Sequence, residues 1–234
     1  MTAKTAVVVG ASGGIGGAVA DTLEAGGEYD TVIRLSRSGD GPVPLDLTSE
    51  DSIRNAANWL ADKQINPSLV FVATGLLHED GKGPEKSLRQ LDAEWLTKNY
   101  QVNAIGPALV AKYFLPLMER IETIRFAALS ARVGSISDNR LGGWYGYRAS
   151  KAALNMMIRN LSIEWSRKND RSIIVALHPG TVDTGLSVPF QGNVPPEKLF
   201  DSARAARQLL TVLEALKPAD SGKIFAWDGT EIQP

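Results

Sequence analysis

The chain contains no cysteine and only two histidines, His78 and His178. The first absence excludes disulfides, a thiol nucleophile and cysteine-ligated metal. The second excludes a histidine-rich metal centre, so no metal site is expected. Neither sign of charge is in excess: Lys plus Arg is 25 against 26 for Asp plus Glu, a formal net charge of −1. That balance gives no general attraction to nucleic acid or to an anionic membrane, and neither is expected as a partner. Long apolar runs are missing as well. Residues 6–20 are mostly small and apolar, and Ala18-Val19-Ala20 imitates a signal-peptidase site, but Gly10, Gly13, Gly14, Gly16 and Gly17 interrupt the stretch. A strand entering a phosphate-binding turn explains these residues better than a leader does. No later stretch is apolar enough to cross a bilayer. A cysteine-free chain fits a reducing compartment, and a cytoplasmic location is the expectation.

What the chain does have is alternation. Short β-branched runs at 5–9, 31–36, 69–73, 124–129, 172–177 and 223–226 read as strands. Helical patterns separate them at 14–25, 51–63, 91–118, 145–167 and 202–216, the third bent near Pro107. Thr48 or Ser49 is expected to cap the second helix. Strictly alternating strands and helices predict an α/β fold, a Rossmann-type doubly wound parallel sheet. With 234 residues it is expected to be a single domain spanning 1–234. Ligands of such sheets bind beyond the carboxyl ends of the strands.

The first such end reads Gly10-Ala11-Ser12-Gly13-Gly14-Ile15-Gly16 and opens a helix. A pyrophosphate must come close to backbone N–H groups there, and side chains would block it. The second strand ends in Ser36-Arg37-Ser38. A site for NAD(H) favours a carboxylate at this point, to hold the ribose hydroxyls. A guanidinium flanked by hydroxyls suits a 2′-phosphate instead. NADP(H) is therefore the expected cofactor, with NAD(H) possible. Farther on, Tyr147 and Lys151 lie one helical turn apart. A free tyrosine, with a pKa of about 10, is a poor acid or base at neutral pH. A neighbouring ammonium is expected to lower that pKa and make the pair a general acid/base for a carbonyl or an alcohol.

These motifs, in this order, closely resemble the short-chain dehydrogenase/reductase family. The stretch from Arg132 to Asn155, with Gly142-Gly143-Trp144-Tyr145 before the tyrosine, resembles the sniffer-type carbonyl reductases and bacterial C-factor-like proteins. The resemblance implies a seven-stranded parallel sheet and hydride transfer between a nicotinamide cofactor and a small carbonyl or alcohol. By the same resemblance Tyr147 handles the substrate proton, Lys151 also holds the cofactor ribose, and Asn103 supports a water chain to the lysine. Gly10, Ser12, Gly14, Ile15 and Gly16 bind cofactor. So do Arg37, the adenine-contacting pair Asp46-Leu47, the strand end Ala73-Thr74-Gly75, and Pro179-Gly180 with Val182 and Thr184. The family pairs its equivalent helices across a dimer, which implies a homodimer or homotetramer. Leu109, Tyr113 and Leu117 on one helix and Met157, Leu161 and Trp165 on the other are the expected face.

Two departures stand out. Ala73-Thr74-Gly75 replaces the family's Asn-Ala-Gly. The family's catalytic serine lies three residues before Gly134, where this chain has Ala131. Ser130 is the expected substitute, provided the strand ends there and the backbone turns; Ser135 and Ser137 are the alternatives. The pocket wall is expected from 76–83, 135–144 and 186–196, with Trp144 and Phe190 pointing to an apolar substrate. A non-catalytic nucleotide-binding signalling protein is the rival reading, since fold alone never decides function. A Ser-His-Asp hydrolase is disfavoured because no Gly-x-Ser-x-Gly elbow is present, and His178 reads as structural.

Overall fold

The computed structural model of the chain describes residues 4–39, 41–118 and 123–234. Its elements follow the expected alternation. Strand β1 (Thr5–Val9) leads into helix α1 (Gly14–Gly26), then β2 (Thr31–Leu35), α2 (Glu50–Asp62) and β3 (Pro67–Val72). Helices α3 (Ala93–Tyr100) and α4 (Gly106–Phe114) precede β4 (Arg125–Leu129). Helix α5 (Tyr145–Ser166), β5 (Ile173–His178), two short strands β6 (Thr181–Val182) and β7 (Leu199–Phe200), and α6 (Ser202–Ala215) follow. Strands β8 (Ile224–Ala226) and β9 (Glu231–Ile232) complete the order.

Among the described residues the main sheet has seven strands in the order β2-β1-β3-β4-β5-β8-β9. The expectation of an all-parallel sheet needs one correction: β9 runs antiparallel to β8, pairing Ile224 with Ile232. A tight turn joins the two, with the Gly229 N–H bonded to the Ala226 carbonyl, and so short a connection permits only an antiparallel return. Alternate residues of each strand face opposite sides. Val7, Val70, Phe126 and Ile174 pack with α2, α4 and α5 on one face. Val8, Phe71, Ala127 and Val175 pack with α1 and α6 on the other. The chain order reverses between β1 and β3, which opens a crevice at their carboxyl ends.

The single helix expected over 91–118 is divided. Between α3 and α4, residues Gln101–Ile105 form a π-helical turn that ends two residues before Pro107. A π turn inserts an extra residue into the helical ladder and re-aims the side chains around it. Asn103 sits in that turn, buried. Of the two expected caps for α2 it is Ser49 that acts, its side chain accepting from the Ser52 N–H at 3.2 Å.

The expected dimer face packs partly within the chain. Trp165 is buried, and Leu109, Tyr113, Leu117 and Leu161 pack against the core. The Tyr113 hydroxyl donates to Glu50 Oε1 at 2.7 Å. Met157 alone of that set stays exposed, and Met156, Ile163, Tyr145, Tyr100 and Ile105 are among the other exposed large side chains of this region.

Candidate active site

Two cavities meet the carboxyl edge of the sheet. The first is a cleft of about 250 Å³ lined by Gly10, Ser12, Ser36, Arg37, Asp46, Leu47, Ala73, Thr74 and Gly75, among others. Its floor is the glycine turn. Gly10 takes a left-handed φ of +86°, and a Cβ there would fall 2.7 Å from Thr74 Cγ2. At Gly16 a Cβ would run into the Gly10 carbonyl oxygen. Helix α1 starts behind Gly13 with no side-chain cap and no acidic residue in its first turn. Its leading N–H groups and the positive end of its dipole are therefore left for an anion. The Thr74 hydroxyl is buried without a partner at the cleft wall. Asp46 Oδ1 accepts from both the backbone and the side chain of Thr48, each at 2.8 Å. Arg37 is exposed and forms no ion pair among the described residues. Its neighbour Arg34, by contrast, is held by Asp21 and Glu24.

The second cavity, of about 440 Å³, adjoins the first. Ile15, Ser130, Ala131, Tyr147, Pro179, Gly180, Val182 and Thr184 line it, together with the apolar Leu77, Trp144, Leu186 and Phe190. Gly14 lies against Thr184, whose Cγ2 would be 2.8 Å from a Cβ at that glycine. The glycine turn and the segment after β5 thus close on each other. Trp144 stands edge-on to Tyr147 with ring centroids 6.3 Å apart, and meets Phe190 at 5.1 Å. His78 Nε2 donates to the Gly185 carbonyl at 2.9 Å and joins the loops on either side. The wall therefore comes from the three expected segments unequally. Within 135–144 only Trp144 reaches the cavity.

Asn103, Tyr147 and Lys151 are brought together by α5 and the π turn. Asn103 Oδ1 accepts from the Leu76 N–H at 2.8 Å, and its Nδ2 donates to the Leu76 carbonyl and to Ser150 Oγ at 2.9 and 3.0 Å. It therefore bonds across to the β3 loop, with a longer bond from Nδ2 to Asn99 Oδ1, one turn back, at 3.4 Å. Lys151 is buried and donates from Nζ to the Leu129 carbonyl at 2.8 Å. A Cβ on Gly75 would lie 3.7 Å from that nitrogen and 3.8 Å from Asn103 Oδ1, so the three positions border one small space.

Two expectations are corrected here. Burial pushes the Tyr147 phenol up to about 12, not down, and pushes Lys151 down to about 7. Both groups are buried, and desolvation disfavours the charged form of each. The second correction concerns Ser130. Strand β4 ends at Leu129, yet the Ser130 N–H still bonds the Leu177 carbonyl at 2.8 Å, so the ladder runs one residue farther. Its hydroxyl donates to Asn155 Oδ1 at 2.7 Å. Ala131 is the residue that packs against Tyr147. The alternatives are engaged too: Ser135 and Ser137 donate to the carbonyls of Gln233 and Pro234.

Sequence reasoning missed Glu85. It lies in a charged loop with no motif around it, yet it is buried and accepts from the Gly146 N–H at the start of α5. No pattern in the sequence marks it.

Fold and cavities define a Rossmann-type α/β protein with Tyr147 in the wall of a mostly apolar cavity and Lys151 buried one helical turn away. The chain belongs to the short chain dehydrogenase family, whose model matches residues 4–193. It is 32% identical to a 1-hydroxy-2-glutathionyl-2-methyl-3-butene dehydrogenase of Rhodococcus sp. strain AD45, over 98% of this chain and 99% of that one. It is 33% identical to the C-signal protein of Myxococcus xanthus, over 62% of this chain and 82% of that one. Among solved structures, an NADPH-bound carbonyl reductase from chicken fatty liver superimposes with a TM-score of 0.86 at 25% identity, covering 99% of this chain and 94% of that chain. Carbonyl reductase Sniffer of D. melanogaster matches in fold, with a TM-score of 0.85 at 20% identity over the whole of both chains. Among the described residues no helix is long and apolar enough to cross a membrane.

Proposed function

We propose that this chain is a nicotinamide-dependent oxidoreductase that interconverts a small carbonyl and its alcohol, with residues 1–234 forming one catalytic domain. The observation that carries this reading is the Tyr147 ring in the wall of an apolar cavity directly beside the glycine turn. The residues present fit a dinucleotide. The α1 N-terminus is uncapped, glycines keep the turn clear of side chains, and the orphaned Thr74 hydroxyl offers a bond at the cleft wall. Gly10, Ser12, Gly14, Ile15 and Gly16 would hold the pyrophosphate, and Asp46 with Leu47 the adenine. Arg37 would hold a 2′-phosphate, which favours NADP(H) over NAD(H). Ala73, Thr74, Gly75 and Lys151 would hold the riboses, and Pro179, Gly180, Val182 and Thr184 the nicotinamide end. When bound, the cofactor supplies or accepts the hydride.

The chain's own residues handle the proton. Tyr147 gives its proton to the carbonyl oxygen during reduction and, as the phenolate, takes one from the alcohol in the reverse direction. Asn103 fixes the α3–α4 turn against the β3 loop that borders Lys151. Leu77, Trp144, Leu186 and Phe190 exclude water from the reacting atoms and select an apolar substrate. NADPH oxidation with a panel of small aldehydes and diketones tests the reading, and no turnover with any of them would overturn it. A homodimer or homotetramer in the cytoplasm completes the proposal. Light scattering at micromolar concentration checks the assembly, and a strictly monomeric mass would refute it.

A second reading has one observation in its favour. Ala131 gives the carbonyl oxygen no hydroxyl beside Tyr147. That suits a protein which binds the nucleotide for signalling and performs no reduction. Tight NADPH binding without turnover is its expected signature.

A further inference from the structure

Helix α5 begins in an unusual way. Gly142 and Gly143 take left-handed φ values of +64° and +62°, and Trp144 follows at +51°. The glycines adopt this conformation freely. For tryptophan the left-handed region costs energy, and such strain persists only when surrounding structure imposes it. Trp144 is also the N-cap residue of α5 and makes no side-chain cap bond. What imposes the conformation is Glu85. Its backbone carbonyl accepts from the Trp144 N–H at 2.5 Å. Its side-chain Oε2 accepts from the Gly146 N–H at 3.0 Å. One residue thus grips the chain on both sides of Tyr145, immediately ahead of Tyr147.

The grip is tight and dry. Glu85 is 2% exposed, and its Oε1 is buried with no hydrogen-bond partner. A Cβ at Gly146 would fall 3.0 Å from that oxygen and 3.2 Å from Leu96 Cδ2, so the helix start is pressed directly onto the carboxyl group. An orphaned buried acceptor is a cost that a purely structural cap, open to solvent, would avoid. Here the cost accompanies an arrangement that holds the Trp144 ring 6.3 Å from Tyr147 and 5.1 Å from Phe190.

We propose that Glu85 is a positioning residue: it holds Trp144 in its strained conformation against the substrate cavity and sets the first turn of α5, so that the Tyr147 hydroxyl meets the substrate in register. The proposal rests on the carbonyl–alcohol reading for its kinetic consequences, but not for its structural one. Misplacement of reacting groups by about 1 Å can cost on the order of 10²-fold in rate. Glu85 itself lines neither the substrate cavity nor the cofactor cleft, and acts through Trp144 and Tyr147.

The test compares Glu85→Ala with Glu85→Gln in the full chain. The amide oxygen of glutamine can still accept from Gly146, whereas alanine cannot. Glu85→Ala is expected to lower kcat at least tenfold, with the Kd for NADPH changed less than about twofold, because the cofactor cleft is built at the ends of β1 and β3. Its near-ultraviolet circular dichroism should lose the Trp144 contribution, identified by subtracting a Trp144→Phe spectrum. Glu85→Gln is expected to restore kcat to within about threefold and to restore the spectrum. Should Glu85→Ala not fold, Glu85→Met fills similar volume without an acceptor and replaces it in the comparison. A folded alanine or methionine variant with native kcat and native spectrum overturns the proposal. So does a glutamine variant as impaired as alanine. If the native chain shows no turnover with any carbonyl, the oxidoreductase reading falls, and the spectral comparison alone decides the role of Glu85.

Discussion

Lys151 Nζ donates to the carbonyl of Leu129 at 2.8 Å and lies 5.8 Å from the centroid of the Tyr147 ring. The lysine is thus anchored to the end of β4, one helical turn from the tyrosine. Tyr147→Phe keeps the ring that packs with Leu77 and Ala131 and removes only the hydroxyl. Turnover is expected to fall by about 10²–10⁴-fold, the usual worth of a general acid, while NADPH binding, read by fluorescence titration, is nearly unchanged. Lys151→Ala is expected to weaken both. A phenylalanine variant keeping more than about a hundredth of native activity would remove Tyr147 from its role.

The features legible in the sequence are those whose chemistry is local. The glycine turn follows from one strand and one helix. Tyr147 and Lys151 follow from helical spacing, and the alternating pattern predicts the doubly wound sheet. The features that were not legible depend on distant contacts. The two residues of β9 are too short to carry a periodicity, and their direction is decided by β8. The π turn at 101–105 breaks a pattern that reads as continuous helix. Ser130 looks available until Asn155 takes its hydroxyl. Leu109, Tyr113, Leu117 and Leu161, read from helical spacing as a dimer face, also pack partly against the core.

Stability should depend on pH through groups whose titration the fold shifts, three of them at or beside the candidate site. Burial, with Arg132 nearby, pushes His178 from its ordinary 6.5 down to about 4. Between these values the unfolded chain holds a proton that the folded chain has lost, so stability rises with pH across about 4 to 6.5. The gain is up to roughly 3 kcal/mol at about 1.4 kcal/mol per pKa unit. Lys151, lowered from 10.5 to about 7, extends the rise over the window between those values by the same logic. Tyr147, raised from 10.0 to about 12, reverses it: the folded chain keeps a proton there that the unfolded chain loses, and stability falls. Urea unfolding midpoints measured across pH check this. His178→Gln should flatten the acid limb and Lys151→Met the neutral-to-alkaline limb. An acid limb unchanged in the glutamine variant would refute the assignment to His178.

Arg37 lines the first cavity beside Ser36 and Asp46. One charge-assisted hydrogen bond contributes about 1.5–3 kcal/mol, which is about one to two decades in affinity. Arg37→Ala is expected to weaken NADPH binding by that amount and to leave NADH binding almost unchanged. The position before Gly14 is Gly13, which offers no second cation, so the native preference should be modest. Equal affinities for the two cofactors in the native chain, or no loss of NADPH binding in the variant, would exclude a 2′-phosphate contact at Arg37.

Ala131 sits where a hydroxyl beside Tyr147 would be useful. It packs against the Tyr147 ring and lines the same cavity. A carbonyl oxygen gaining charge is stabilised by each donor aimed at it, and removing one such donor typically costs about 10²–10³-fold in rate. Ala131→Ser is therefore expected to raise kcat for carbonyl reduction by about tenfold or more, the shortfall allowing for a site not built around it. Ser130→Ala should behave differently. Its hydroxyl is buried and bonded to Asn155 at 2.7 Å, so it contributes to holding β4 against α5 rather than to the reacting oxygen. The variant is expected to keep kcat within about threefold and to lose about 1–3 kcal/mol of stability, since Asn155 is left with an unpaired buried acceptor. Steady-state kinetics and urea unfolding of both variants separate the roles. A loss of kcat near 10²-fold in Ser130→Ala, with stability intact, would show that this hydroxyl leaves Asn155 to reach the substrate. No gain in Ala131→Ser, in a chain that binds NADPH tightly without turnover, would favour the nucleotide-binding signalling reading over the reductase.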